Sequence, residues 1–515
     1  MKNSLKEFDC WLSSSSYSTI YPGKRLLKIS TDLKFGQRGL IACSEIKAGQ
    51  CIYSIPLNDL RFILTPLRCT HLFNTRCQCF NDTEQIKITL NSIDILVAFI
   101  YHCKYTTSTE CCLRNIWAPY ISILPETYSD PLSCILSNYN HLYENIFIDS
   151  SNYFHSTDLN ISLKRLLIRL LKSWNRIQPF INKSHTQSVY NIHKKCYSLP
   201  PNEFLWAWCT VNSRCVSCPF KESMTSVEQL CQTMFNCEQF CLNNMHISHI
   251  KDNLHDNGYT IAVIPFFDFF NHNQNVSTSM SVSKDGNTLE LCIDRQISAD
   301  EQVFINYGPH DNLTLFTEYG FSLPFHENDN DVIYLSFYFL MDLFVKLSTA
   351  MTSSSSSTLI SSKILAKLNL PQPNNPSVVN EDDILWNSVY LSVNNHHGPS
   401  YHLSLILFLM YTFISNGYNE ENHISLDNVY NISEDLIHST IQPVLSEVYS
   451  LLLHHLEYDR EKINQLQRST DLSLSSSVVP VEMMKLSCKL ENFYKEFLYY
   501  FDQRECFIKC LMINE

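Results

Sequence analysis

The stretch IPFFDFFNHNQN, Ile264 to Asn275, is an aromatic-rich apolar run broken by Asn271 and His272. Both side chains need hydrogen-bond partners if they are buried. Such a pair either satisfies a polar ligand and a neighbouring stretch of chain, or forms a turn that ends a buried strand. A second group with chemical potential is the cysteine cluster Cys209, Cys215, Cys218, Cys231, Cys237 and Cys241, with His246 and His249 close behind. Cys215 and Cys218 have the C-x-x-C spacing that can grip one zinc ion, but the later members lack a matching pair. The chain carries 21 cysteines, scattered and odd in number, so free buried thiols and no metal are the expectation.

The elements that must position these residues show in the glycines, of which there are only 10. In so glycine-poor a chain each marks a backbone position that excludes a side chain or needs positive φ. Gly36, Gly39 and Gly49 cluster near the start and Gly308 and Gly320 near the middle, with none between Gly49 and Gly258. Two distant segments therefore carry the special backbone and are expected to meet around one site. In the first, GLIAC and CIYSIP read as strands around the turn EIKAG; in the second, LELCID and QVFINYG flank the turn QISADE. Between them lie helical stretches such as NSIDILVAFIYHCKY and ISLKRLLIRLLKSW, with apolar residues recurring at three and four. The plan is α+β, a β-unit split by a helical insertion.

Composition bounds the function. A chain of 515 residues predicts two or three domains, and 45% apolar with 17% charged residues describes a globular protein with a large core. A net charge of -13 argues against direct nucleic-acid binding and suits a basic partner. The opening MKNSLKEFDCWLSSSS lacks the apolar core of a secretory signal, so a cytoplasmic or nuclear location is expected. The apolar runs VIYLSFYFLMDLFVKL and YHLSLILFLMYTFI fall short of the roughly 20 residues that span a bilayer, and read as buried helices without a membrane role.

Five segments in order, GQRGLIACSEIKAGQCIYSIP, YISILPETYSDPL, FLWAWCTVNSR, PFFDFFNHNQN and EQVFINYGPHDNLTLFTEYGF, resemble the SET-domain protein methyltransferases. Within them the resemblance is to the class built like the Rubisco large-subunit lysine methyltransferase, and WAWCTVNSR is most similar to its SET domain-containing protein 4 branch. This implies S-adenosyl-L-methionine as methyl donor and a protein-lysine N-methyltransferase acting on a protein or peptide, possibly basic such as a histone tail. It also implies that Tyr307 is catalytic. Arg38, Gly39, Leu40, Asn271, His272, Tyr307 and Phe321 would bind the cofactor, and Tyr319 and Arg214 the substrate. The implied organisation is an N-terminal extension at 1–24 and a SET domain at 25–325. The domain's β core is split about 25–60 and 258–325 by a helical insertion about 61–257, and an all-α substrate-binding domain follows at 330–515.

The residues fit these roles. Arg38 can hold a carboxylate by a forked contact. A tyrosine hydroxyl at a channel floor orients an amine without bringing a formal charge. The alternatives at these positions are a surface arginine beside a turn glycine and a core tyrosine before one. The chain departs from the pattern at His310, where relatives carry arginine, and in a long stretch between Arg214 and Asp268, read as a surface insertion. The segment GFSLPFHENDND also lacks the zinc-binding cysteines that other SET enzymes carry after the tyrosine. A protein-histidine methyltransferase and a non-catalytic SET-fold binding module are the alternatives to lysine methylation.

Overall fold

A computed structural model describes residues 2–13, 26–31, 38–76, 86–106, 112–138, 157–184, 200–235, 245–249, 259–351, 389–393, 398–416, 432–474 and 481–513. The chain forms two compact units, one of Met1–Tyr128 and Arg169–Pro309, the other of Ser129–Ile168 and His310–Glu515.

The first unit holds eleven described strands. They are β1 (Leu27–Ser30), β2 (Gly39–Ala42), β3 (Cys51–Pro56), β4 (Ile86–Leu90), β5 (Cys215–Cys218), β6 (Met245–His249), β7 (Thr260–Val263), β8 (Asn271–His272), β9 (Thr278–Val282), β10 (Thr288–Ile293) and β11 (Gln302–Ile305). Two small sheets, β1-β2-β11-β8 and β3-β10-β9, each join strands from both ends of the unit; β4-β6 and β5-β7 are two-stranded. The β10 sequence TLELCI alternates as the sequence predicts, with Leu289, Leu291 and Ile293 buried and the residues between them half-exposed. The EIKAG turn closes at Gly49, whose φ of +78° is in the left-handed region and whose N–H donates to the Ile293 carbonyl at 2.7 Å.

The helix Ser92–Tyr105 starts where Asn91 accepts the Asp94 N–H at 2.8 Å. It is buried on nearly every face, and Asp94 inside it is held by Ser173 at 2.6 Å and by Arg176. The helix Asn202–Arg214 packs beside it and runs directly into β5. Cys218 in β5 is fully buried and Cys231 nearly so, which places this part of the expected surface insertion in the core; β5 pairs antiparallel with β7. Among the described residues no three His, Cys, Asp or Glu side chains gather into a metal-holding group, and Cys237 and Cys241 lie outside them.

The second unit contains the helices Phe337–Met351, Tyr401–Asn416, Glu434–Leu474 and Val481–Ile513. Where an all-α region was expected, a three-stranded sheet of β12 (Val332–Tyr334), β13 (Tyr390–Ser392) and β14 (Gly398–Pro399) also forms. Strands this short leave no alternating pattern to read. The run beginning VIY accordingly splits into β12 and a helix. No described helix is long and apolar enough to cross a membrane. Ser353–Ser357 and Gly417 lie outside the described residues. The buried Arg504 donates to Tyr500 Oη at 3.0 Å, with carboxylates of Asp331 and Asp158 at 3.6 and 3.7 Å.

Of the clustered glycines, Gly36 lies outside the described residues and Gly39 is in ordinary extended conformation in β2; Gly308 and Gly320, like Gly49, have positive φ. Gly320 caps the π-helical turn Leu315–Tyr319, and a Cβ there would sit 2.9 Å from both the Asp130 nitrogen and Ser129 Oγ. A Cβ on Gly49 meets nothing within 4 Å. Gly49→Ala is therefore expected to cost about 1 kcal/mol from φ alone. Gly320→Ala should cost distinctly more because backbone must also move, and thermal unfolding of the two variants separates these cases.

Candidate active site

The polar pair of the NHNQ segment is a two-residue strand. β8 runs parallel to β11, with Asn271 opposite Phe304 and His272 opposite Ile305, and β11 is antiparallel to β2 through Val303 and Leu40. The Asn273 N–H donates to the Ile305 carbonyl at 3.0 Å and Asn306 Nδ2 to the Gln274 carbonyl at 3.1 Å, which extends the pairing. Arg38, Gly39, Leu40, Asn271, His272 and Tyr307 are thereby brought together from three separate stretches of chain.

Side chains tie these stretches to one another. Asn271 Nδ2 donates to the Arg38 carbonyl at 2.9 Å. The Tyr307 N–H donates to His272 Nδ1 at 3.1 Å, so the imidazole of His272, only 8% exposed, carries its proton on Nε2 when neutral. The Tyr307 hydroxyl donates to the Phe270 carbonyl at 2.6 Å, and its ring lies 5.1 Å from that of His272. With its proton committed to Phe270, the hydroxyl presents oxygen lone pairs to a ligand. Leu40 is fully buried.

The segment leading into β8 is bent at Phe266, a non-glycine residue at φ +74°. That conformation costs on the order of 1–3 kcal/mol and survives only where packing enforces it. Here the Tyr53 ring stacks on Phe266 at 5.4 Å and the Tyr53 hydroxyl donates to the Pro265 carbonyl at 2.8 Å. The following 3-10 turn, Phe267–Phe269, sets Asp268 inward.

Asp268 is the centre of a buried charge cluster. Arg214 Nη1 donates to its carbonyl at 2.8 Å and to Oδ2 at 3.1 Å, and the Tyr120 hydroxyl donates to Oδ2 at 3.1 Å. Its Oδ1 is buried with no partner. Arg214 also donates to the Tyr128 hydroxyl at 3.4 Å, which itself donates to Thr210 at 2.8 Å. The Arg38 guanidinium lies over the Phe269 ring at 5.2 Å and donates to the Ile123 carbonyl. Burial, and then Arg214, hold Arg38 below its ordinary pKa. Burial pushes Asp268 up against the pull of Arg214 and Arg38, and pushes Tyr120 well above its usual value, so that this hydroxyl remains a donor. Arg214 is thus paired with Asp268, and Arg38 lies near enough to feel both charges.

The N-terminal helix Lys2–Ser13 supports this cluster. Its fully buried Phe8 lies 6.3 Å from the Tyr120 ring and 6.4 Å from Phe269, while Trp11 sets its edge against Phe62 at 5.2 Å. Asp268, Tyr120, Tyr128 and Phe8 were not singled out from sequence. The signal for Asp268 was present, since it is the one charge within the aromatic run; Tyr120 and Tyr128 carried none that separates them from core tyrosines. Tyr319 and Phe321 belong to the second unit, where Tyr319 ends the π-helical turn with the His310 ring at 5.7 Å and Phe321 at 6.4 Å.

Comparison of the sequence with protein families matches the SET domain over residues 37–308. The chain belongs to the SET domain family. SET domain-containing protein 4 of Homo sapiens is 26% identical over 209 residues, covering 40% of this chain and 37% of the relative. The Mus musculus protein of the same name is 25% identical over 285 residues, 55% and 52% of the two chains. Ribosomal lysine N-methyltransferase set11 of Schizosaccharomyces pombe is 28% identical over 139 residues, 27% and 28%. The matched region spans about half or less of the length of these relatives. Among solved structures, the SET domain of LSMT bound to MeLysine and AdoHcy is 14% identical with a TM-score of 0.49, covering 99% of this chain and 93% of that one. Rubisco LSMT bound to AdoMet is 14% identical with a TM-score of 0.42, covering 98% and 93%. The assignment to the SET family rests on the sequence match. The methyl donor of the family is S-adenosylmethionine.

Asp268→Asn keeps the shape of this SET-domain cluster and removes the charge that pairs with Arg214. It is expected to lower stability by about 3–5 kcal/mol, and adding Arg214→Met should recover part of the loss. Chemical denaturation of the single and double variants measures the coupling.

Proposed function

We propose that this SET-domain chain is a protein-lysine N-methyltransferase that uses S-adenosylmethionine. The observation that carries the reading is the parallel β8–β11 pairing, which sets the Tyr307 hydroxyl on the Phe270 carbonyl beside Asn271, His272 and the Arg38–Leu40 strand start.

The charges of the site fit the donor's amino-acid end, which carries both a carboxylate and an ammonium. The surplus positive charge of Arg38 and Arg214 over Asp268 suits the carboxylate, and the unpartnered buried Asp268 Oδ1 suits the ammonium. When bound, the cofactor supplies a methyl group on a sulfonium, which is electrophilic and needs no further activation. Arg38, Gly39, Leu40, Asn271 and His272 would hold it, with the Ile123 carbonyl and the Phe269 ring placing Arg38. The roles that the resemblance gives Phe321 at the cofactor, and Tyr319 and Arg214 at the substrate, rest on sequence alone.

Methyl transfer to an amine is an in-line displacement, so the protein's task is alignment and exclusion of water. A lysine ammonium has no lone pair and must lose its proton first; an apolar channel lowers its pKa and aids that loss. The Tyr307 oxygen, its own proton given to Phe270, accepts from the amine N–H and so directs the nitrogen lone pair toward the methyl carbon. Lysine as the target takes its support from the Schizosaccharomyces pombe relative's name. A basic protein substrate and a cytoplasmic or nuclear location belong to the same proposal.

The test is transfer of labelled methyl from S-adenosylmethionine to lysate proteins, followed by hydrolysis to amino acids. Label in methyllysine, cut about a hundredfold or more by Tyr307→Phe, is the expected result. Label in methylhistidine would replace the target residue, and no label from folded wild type would overturn the enzyme reading.

A further inference from the structure

Cys51 in β3 and Cys292 in β10 are directly opposite each other in the antiparallel ladder. Opposite residues in such a ladder have Cα atoms about 4.5–5.5 Å apart, within the roughly 4.4–6.8 Å that a disulfide spans. Both thiols are part-exposed, neither buried beyond the reach of a small oxidant nor fully open. Burial, and then the neighbouring Cys292, push the Cys51 thiol up, and Cys51 Sγ contacts the Tyr53 carbonyl at 3.4 Å. The ladder shifts register here, since Leu291 faces Tyr53 and Cys292 faces Cys51, which leaves Ile52 as the extra residue of a bulge. The pair therefore sits at an irregularity in the ladder that joins the two distant halves of the first unit's chain, with the Ile293 N–H donating to the Gln50 carbonyl at 3.3 Å just beyond it. By contrast Cys69, Cys103, Cys134, Cys209, Cys218 and Cys231 are buried.

We propose that Cys51 and Cys292 form a reversible cross-strand disulfide by exchange with a small disulfide such as oxidised glutathione. The thiolate of one cysteine attacks a glutathione sulfur, which forms a mixed disulfide and releases one glutathione thiolate. The second cysteine's thiolate then attacks the protein sulfur of that mixed disulfide, closes the Cys51–Cys292 bond and releases the second glutathione. Two protein thiols are oxidised, one glutathione disulfide is reduced to two glutathiones, and the two protons pass through solvent to the leaving thiolates. The closed bond staples β3 to β10 across a very long loop, which stabilises the folded chain. This modification is independent of the methyltransferase reading.

The full-length protein is incubated with oxidised glutathione under native, mildly alkaline conditions. Alkaline conditions are chosen because burial pushes the Cys51 thiol up to about 11 and thiolate is the attacking species. Remaining thiols are alkylated and peptides are mapped without reduction. The expected result is one peptide pair joined through Cys51 and Cys292, loss of alkylation at both positions together, and a rise in Tm of roughly 5 °C that a dithiol reductant reverses. Cys292→Ser and, separately, Cys51→Ser should each abolish the joined pair and the rise. Both thiols still open to alkylation after oxidation, or each carrying its own glutathione, would overturn the proposal; the wild-type map alone decides this if a variant fails to fold.

Discussion

The hydrogen bond from the Asn271 amide to the Arg38 carbonyl, 2.9 Å long, is the constraint on which the site depends. A strand of two residues has almost no stability of its own, and a parallel pairing cannot be closed by a tight turn. β8 nevertheless lies beside β11 because side chains do what the ladder is too short to do. Asn271 grips the strand start before β2, His272 accepts the Tyr307 amide, and the Tyr307 hydroxyl returns to Phe270. Each bond is worth about 0.5–1.5 kcal/mol net, so it is their closed circuit through three stretches of chain that holds the geometry.

A second constraint follows from placing charge in this aromatic setting. Asp268 follows the strained Phe266, is turned inward, and pairs with Arg214, while burial and that same Arg214 hold Arg38 below its ordinary pKa. A buried ion pair with a second, half-buried guanidinium nearby is costly in an apolar core, and the proposed zwitterionic ligand would offset part of that cost. Phe8 from the N-terminal helix and Phe269 wall the cluster from water, which strengthens every interaction within it. Under the proposed function, folding and ligand recognition draw on the same groups.

Much of this was readable from sequence because its signals were local. The alternation of LELCI and the Gly49 turn each depend on a few neighbouring residues, and each forms where predicted. The meeting of the two glycine-bearing segments was legible too, through their rarity and the family pattern. What was not legible depends on long-range packing. No local pattern distinguishes Tyr120 or Tyr128 from other core tyrosines, and none shows that Phe8 reaches Phe269. The C-x-x-C at Cys215 and Cys218 carries no sign in its spacing that the segment is a strand paired with β7. Gly39 was expected to mark unusual backbone and is an ordinary strand residue; its neighbour's carbonyl carries the contact that matters.

The most direct test of this account is calorimetric binding of S-adenosylmethionine to the wild type and to Asn271→Ala, each shown to be folded by circular dichroism. The account predicts a saturable isotherm for the wild type and an affinity at least about tenfold weaker for the variant, the loss of roughly one charge-free hydrogen bond and its alignment. Equal affinity in the two proteins would contradict the central place given to the Asn271–Arg38 link, and no binding by the folded wild type would contradict the cofactor site itself.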